Sequence, residues 1–457
     1  MTTMNDRAQL PLYRCGTLTY TRLGLITLFI YLLWGDFCYA MVNLMVPTLL
    51  PMVLKDHNAS DFTIGILMGS IPALMNFIIN PIISTKSDRT RSRWGRRIPY
   101  MLFTVPFTAL FMILIGWSDQ IGHRICRIAG TGNTNTVIVA LIAFCVIGYR
   151  GFNLFVGSVF YYIFADVVPQ QFIGRFMSFF KVVGTMAGML FNLCVMPYAK
   201  THLTLIFTMV AVIHALSFTV ICLRVKEGEY PPPPPPPKSR IEIFTGYFRD
   251  CFSIPFFAIL FIGMGFNFVS TTCRDTFNLL FVLRELHLTT AQFGRAMGIA
   301  LFVSVVLFIP LGYLVDKFHP LRVFLVGAFL VILVNPFGFF FVRGYRSFLA
   351  MAVMLAVVYA IQNASLVPMY MKLYPKEKFG QFCSAGAMVK AIMLVVANGV
   401  SGWFIGRMGY RWLYVWDFFF TIMCFSLIMW VYIRWKKLGG DRGYRPPERV
   451  SAGNSQR

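Results

Sequence analysis

Apolar and polar positions in this chain alternate in blocks of about twenty residues rather than with the period of a single helical turn. Apolar blocks occupy approximately 23–50, 62–85, 98–117, 136–165, 176–198 and 203–223, then 255–283, 293–315, 321–342, 348–373, 382–405 and 412–433. At ~1.5 Å rise per residue each block is long enough to cross a hydrocarbon core of ~30 Å. The pattern therefore predicts an all-α membrane protein of twelve transmembrane helices, and the even count places both termini on one face.

Composition agrees with the pattern. Of 457 residues, 57% are hydrophobic and 13% charged, against about 25% charged for an ordinary soluble domain. The most basic interruption, residues 87–100 (S-D-R-T-R-S-R-W-G-R-R-I-P-Y), lies between the second and third blocks and is expected on the cytoplasmic side. Most Lys and Arg then fall on that side, with both termini cytoplasmic and the chain in the cell membrane. The net charge of +23 reads as a topology signal facing anionic lipid headgroups, not as a nucleic-acid footprint. The ten Cys include no C-x-x-C pair, and most, such as Cys145, Cys194 and Cys424, lie inside apolar blocks, where Cys behaves as a small hydrophobe. The first 22 residues lack the apolar core of a cleavable signal, so the first span is expected to serve as an uncleaved one.

The domain division expected is a tail 1–22, a six-helix bundle 23–223, a cytoplasmic linker 224–253, a second six-helix bundle 254–433 and a basic tail 434–457. The linker carries a run of seven prolines, Pro231 to Pro237. Such a run adopts extended polyproline II and is read as a strut between the bundles; a ligand for SH3-type domains is the other reading. Residues 240–252 are short and amphipathic, which suits a helix at headgroup level.

The two bundles repeat. S-T-K-S-D-R, ending on Asp88 and Arg89, follows the second span, and G-Y-L-V-D-K, Gly312 to Lys317, follows the eighth. The frame P-x-x-x-x-G-[RQ]-F-x-S follows the fourth span from Pro169 to Ser178 and the tenth from Pro375 to Ser384. A duplicated six-helix unit is the pattern of transporters built from internal repeats.

G-x-L-x-D-[RK] at Gly312, Asp316 and Lys317, together with D-R…G-R-R at Asp88, Arg89, Gly95, Arg96 and Arg97, resembles the inter-helix motif of the major facilitator superfamily. The fuller D-R-T-R-S-R-W-G-R-R-x-P-Y, which includes Arg93, is similar to that of the melibiose-permease-like glycoside–pentoside–hexuronide cation symporters and the related sucrose-transporter group. The resemblance implies a two-bundle fold, alternating access, and a solute site near the membrane midplane. It also implies that Asp88 and Asp316 brace helix ends in one conformational state.

Charges inside apolar blocks cost about 2.5–3.5 kcal/mol each at a helix centre, so they are expected to face a wet cavity. Asp36, Lys181 and Lys390 lie well inside spans, with Arg150, Arg274, Asp275 and Asp417 as further candidates. Asp36 in G-D-F, Lys181 seven residues before Gly188, and Lys390 in M-V-K match positions that contact sugar in the melibiose-permease-like proteins. The resemblance likewise puts an aromatic at Tyr161 or Tyr162. A carboxylate that accepts and ammonium groups that donate can hold sugar hydroxyls from two sides.

One departure affects ion coupling. Sodium-coupled members carry D-x-x-x-D-P on the second helix; this chain reads Asn76-Phe-Ile-Ile-Asn80-Pro81, and Gly157 or Ser158 stands near the position of the fourth-helix carboxylate. Two neutral amides offer a monovalent cation only carbonyl dipoles, so Asn76, Asn80, Asp36 and Lys390 make a weak sodium site. A proton is therefore the favoured coupling ion, with Asp36, between Lys181 and Lys390, as a candidate carrier on which nearby cations and burial act in opposite directions. The expected activity is sugar or glycoside transport, acting as a monomer and without cofactor or metal. Uncoupled facilitation is an alternative. A lipid-like or amphipathic solute is another, given 47 Phe among 16% aromatic residues. The short basic tail speaks against a receptor, and the six scattered His, with no H-E-x-x-H or G-x-S-x-G, speak against an enzyme.

Overall fold

The computed structural model describes residues 13–130, 133–229, 251–375 and 378–447. Among them are twelve helices long and apolar enough to cross a membrane, and their positions agree with the twelve apolar blocks. The main elements are α1 (Arg22–Asp56), α2 (Asp61–Gly65), α3 (Ile71–Arg89), α4 (Ile98–Gly116), α5 (Ser118–Ala129), α6 (Thr134–Val167), α7 (Gln170–Leu190) and α8 (Leu203–Arg224). After the linker come α9 (Pro255–Leu280), α10 (Thr290–Phe318), α11 (Pro320–Phe341), α12 (Tyr345–Leu373), α13 (Phe379–Met408) and α14 (Leu413–Lys437). The proline run and residues 240–250 lie outside the described residues.

Local chemistry sets several helix ends. Ser60 accepts from the Thr63 N–H at 3.1 Å to start α2. Thr289 and Gln292 form a reciprocal capping box at the start of α10. Pro99, Pro255 and Pro320 occupy the first turns of α4, α9 and α11, where a missing N–H costs nothing. Three spans contain a π-helical turn: Ile66–Ser70 joins α2 to α3, Phe191–Val195 follows α7, and Phe281–Glu285 follows α9.

Two small elements were not anticipated from apolar blocks. A hairpin pairs β1 (Tyr13–Cys15) with β2 (Leu18–Tyr20), too short to register as alternation. Helix α5 is amphipathic, with Ser118, Gly122 and Cys126 buried at i, i+4 and i+8 against α6.

The described chain forms two compact units. One comprises 13–46, Ile78–Phe191 and 198–229; the other comprises Pro47–Phe77, Asn192–Pro197 and the described residues from 251 onward. In the first, α4 packs on α6 and α8. Its core is rich in edge-on rings, such as Phe160 against Phe164 at 4.8 Å and 75°, each such pair adding ~0.5–1.5 kcal/mol to simple burial. In the second, α9 packs on α13 and α14, and α12 on α10 and α11. Phe257 meets Phe382 at 4.6 Å and 68° there.

Segment Pro47–Phe77 joins the second unit because small residues let backbones approach. A Cβ on Gly65 would strike the Asn398 carbonyl, and one on Gly402 would strike the Asp61 carbonyl. Ser70 donates to the Val395 carbonyl at 2.6 Å. Asp61 accepts from Lys55 at 2.8 Å and from the Tyr410 hydroxyl at 3.0 Å.

Candidate functional site

In the first unit the polar interior is built from α1, α6 and α7. Asp36 sits in the middle of α1, buried at 3% exposure. Its Oδ2 has no hydrogen-bond partner among the described residues. Gly184 on α7 makes room for it, since a Cβ there would lie 3.3 Å from that oxygen. Lys181 precedes Gly184 by three residues, on the same helix face, and stands within electrostatic reach of Asp36. Tyr39, one turn after Asp36, interacts electrostatically with both Asp36 and Arg150. Tyr161, 43% exposed, sets its ring edge-on to Tyr39 at 5.9 Å. Arg150 stacks its guanidinium over Tyr149 at 5.6 Å and leaves a buried Nε without a hydrogen-bond partner among the described residues.

Asp36, Arg150 and Tyr161 thus surround Tyr39, and Lys181 stands beside Asp36. Next to them, Asn153 donates to Asn43 at 3.0 Å. An acceptor and a donor left unused in an apolar interior each carry a desolvation cost, which a polar ligand would relieve. Tyr162 points elsewhere, its ring 4.9 Å from the Arg97 guanidinium. Asn76 and Asn80 lie one turn apart on α3, and Asn80 accepts from the Ser158 hydroxyl at 2.5 Å. Among the described residues no group of His, Cys, Asp and Glu is arranged to hold a metal.

The Arg-rich loop forms a separate network. Glu227 accepts the backbone N–H groups of Arg96, Arg97 and Ile98 at 2.9, 2.8 and 2.8 Å, a carboxylate set on the N-terminus of α4 where the helix dipole favours it. Arg96 clamps Asp166 at 3.1 and 2.5 Å, Arg97 reaches the same carboxylate at 3.3 Å, and Arg97 also donates to Ser87. Gly95 is required twice over: its φ is +104°, and a Cβ would crowd the Glu227 carboxylate. Arg93 is exposed on the loop. The side chains of Asp88 and Arg89 lie outside what is described. In the repeat, Asp316 and Lys317 are exposed on the last turn of α10, Lys317 lying 5.4 Å from the Phe318 ring, and Gly312 has open space where a Cβ would sit.

The second unit holds Lys390 on α13. Its ammonium lies 3.4 Å from the centroid of the Phe268 ring, at one wall of a cavity of about 200 Å³ whose other walls include Phe261, Met264, Tyr370 and Tyr374. A neighbouring cluster surrounds Arg274, which donates to Asp417 at 2.6 Å and to Asn335 at 2.9 Å. The Tyr359 hydroxyl and Thr421 also donate to Asp417, at 2.5 and 3.1 Å.

The sequence profile of the MFS/sugar transport protein family matches residues 31–426. The chain belongs to this family. It is a multi-pass membrane protein of a transport family, not an enzyme family. Curated relatives include the human membrane-associated transporter protein, 32% identical over 109 residues, which are 24% of this chain and 16% of that protein. The rice (subspecies japonica) sucrose transport protein SUT1 is 27% identical over 82 residues, 17% of this chain and 15% of that protein. The match thus spans less than a fifth of the length of either relative. Among solved structures, a bacterial homologue of the human lysosomal transporter Spinster, inward-facing and occupied, aligns with TM-score 0.66 at 14% identity over 90% of this chain and 97% of the other. The nucleoside transporter NupG aligns with TM-score 0.64 at 12% identity over 89% and 100%. At these identities the likeness is one of fold.

Proposed function

We propose that the protein is a secondary transporter that carries a sugar or glycoside across the membrane by alternating access, in symport with protons. The observation that carries this reading is the unspent hydrogen-bonding capacity around Tyr39: Asp36 with a free buried acceptor and Arg150 with a free buried donor, beside Lys181 and the half-open ring of Tyr161. Sugar hydroxyls donate to a carboxylate and accept from guanidinium and ammonium groups, and the sugar's C–H face stacks on an aromatic ring. Lys390 on α13 is proposed as a further solute-binding residue. The Arg-rich end, both termini included, is taken as cytoplasmic by the positive-inside rule, in the cell membrane.

Proton coupling is favoured over sodium because Asn76 and Asn80 put neutral amides where D-x-x-x-D-P would put carboxylates. A second reading, an amphipathic solute, draws on the cavity beside Lys390, whose walls include Phe261, Phe268, Met264, Tyr370 and Tyr374. The test is uptake of a panel of labelled sugars by proteoliposomes under an imposed proton gradient and, separately, a sodium gradient. Accumulation that a protonophore collapses supports the proposal. Equilibration without response to either gradient would leave a facilitator, and transport of no sugar would move the amphipathic solute forward.

A further inference from the structure

Helix α9 carries two adjacent charges, and they face different surroundings. Arg274 turns into the buried cluster with Asp417, Asn335 and Tyr359. Asp417 has no exposed surface and accepts from three residues. Those three donors hold the Asp417 carboxylate in place within the cluster.

Asp275 is about 100° further round the helix. Phe261, Gly265 and Phe268 line the Lys390 cavity at a spacing of four and three residues, and Thr271 and Asp275 continue the same stripe. Phe268 and Asp275 are separated by two turns, or ~10 Å. Asp275 is exposed although it lies ten residues inside the end of its span at Glu285. Its charged and titratable neighbours are Cys273 and Arg274 on its own helix, Tyr359 on α12, Lys390 on α13 and Asp417 on α14. Within hydrogen-bond distance, its one partner among the described residues is the Thr271 hydroxyl, 2.9 Å from Oδ2.

Thr271 suits both charge states of that carboxylate. Its hydroxyl also lies 3.2 Å from the Phe268 carbonyl, and one hydroxyl hydrogen serves only one acceptor at a time. When Asp275 is ionised, Thr271 donates to it. When Asp275 is protonated, the acid O–H donates to the Thr271 oxygen, and the Thr271 hydrogen turns to the Phe268 carbonyl. Neither state leaves a stranded donor.

We propose that Asp275, switched through Thr271 and adjoining the Lys390 cavity, is the carboxylate that binds and releases the coupling proton. The proton is taken from water on one side of the membrane and returned to water on the other, with no bond made or broken in the solute. This assignment rests on the transport reading above, while Asp36 is left to hold solute.

The test uses the full chain in proteoliposomes. A one-unit pH gradient can drive about tenfold accumulation of a neutral solute by a one-proton symporter. Asp275→Asn is expected to bring accumulation down to simple equilibration while exchange of internal for external solute continues near the wild-type rate. Thr271→Val is expected to keep exchange and displace the pH at which accumulation is half-maximal. Wild-type accumulation in Asp275→Asn, or loss of exchange together with accumulation in a normally folded Asp275→Asn protein, overturns the proposal. A proton titration of purified protein in detergent needs no solute: Asp275→Asn should bind about one proton fewer than wild type between roughly pH 4 and pH 10. If no solute moves in the wild type but that difference is present, the transport reading fails and the proton site stands. If the titrations coincide, the proton site is wrong whatever the solute.

Discussion

Arg274 donates to Asp417 over 2.6 Å, and Asp417 is wholly buried. Such a pair loses much of its Coulombic gain to desolvation, yet removing one member strands the other. Asp417→Ala should therefore destabilise the protein by about 3–5 kcal/mol. Arg274→Met combined with Asp417→Leu should recover most of that loss. Thermal unfolding in detergent measures both; a double variant no more stable than the single one would contradict this account.

Glu227 holds the start of α4 through three backbone N–H groups. Glu227→Ala is expected to cost ~1–2 kcal/mol, the usual range for losing a charged helix cap. Glu227→Gln should lose less, because an amide oxygen still accepts. Gly95→Ala should cost at least as much as Glu227→Ala, given its positive φ and the carboxylate beside it. Equal melting temperatures for Gly95→Ala and wild type would show that the loop relaxes freely.

His319 begins α11 and lies outside the spans, its ring 4.4 Å from that of Trp435. Burial, then the charges of Lys372 and Arg322 against the opposing pull of Asp441, push its imidazole down to about 4. In the unfolded chain the ring takes a proton near pH 6.5. The unfolded state therefore binds the proton first, so this contribution to stability is whole above pH ~6.5 and is lost as pH falls toward 4. His319→Asn keeps a cap that tolerates positive φ and should flatten the melting temperature across that window; an unchanged slope would remove His319 as its cause.

Asp36→Asn should abolish solute uptake without lowering the amount of protein in the membrane. Uptake at the wild-type rate would end its assignment to solute binding.

Replacing Asn76 and Asn80 together by Asp supplies the two carboxylates of a D-x-x-x-D-P frame and should make transport respond to sodium. A double variant indifferent to sodium would mean that α3 does not present these positions to a cation.

All twelve spans were legible in the sequence because apolar blocks of membrane length have few other uses. Asp36, Lys181 and Arg150 stood out as charges for a related reason: charges in such blocks are costly and rarely incidental. The partners of the Arg-rich loop were not. Asp166 and Glu227 lie 70 and 131 residues from Arg96, at span ends where a charge is ordinary, so nothing local marks them. Asp275 was visible as a charge, but Thr271, its partner, is an unremarkable polar residue until α9 aligns it with the Lys390 cavity. Nor could block hydropathy show that Pro47–Phe77 packs with the second unit, which depends on where Gly65 and Gly402 let backbones touch.

The π turn at Ile66–Ser70 has an evolutionary corollary. A π turn amounts to one residue inserted in a regular helix, and one residue advances a helix by ~100°. The direction in which Asn76 and Asn80 project thus depends on that insertion as well as on their own identity. Deleting one residue from the turn would heal the helix and swing the pair to another face, a route to altered ion preference that leaves both asparagines in place. Sequence alignments that place D-x-x-x-D-P over N-x-x-x-N-P without a gap assume that every homologue kept the same bulge.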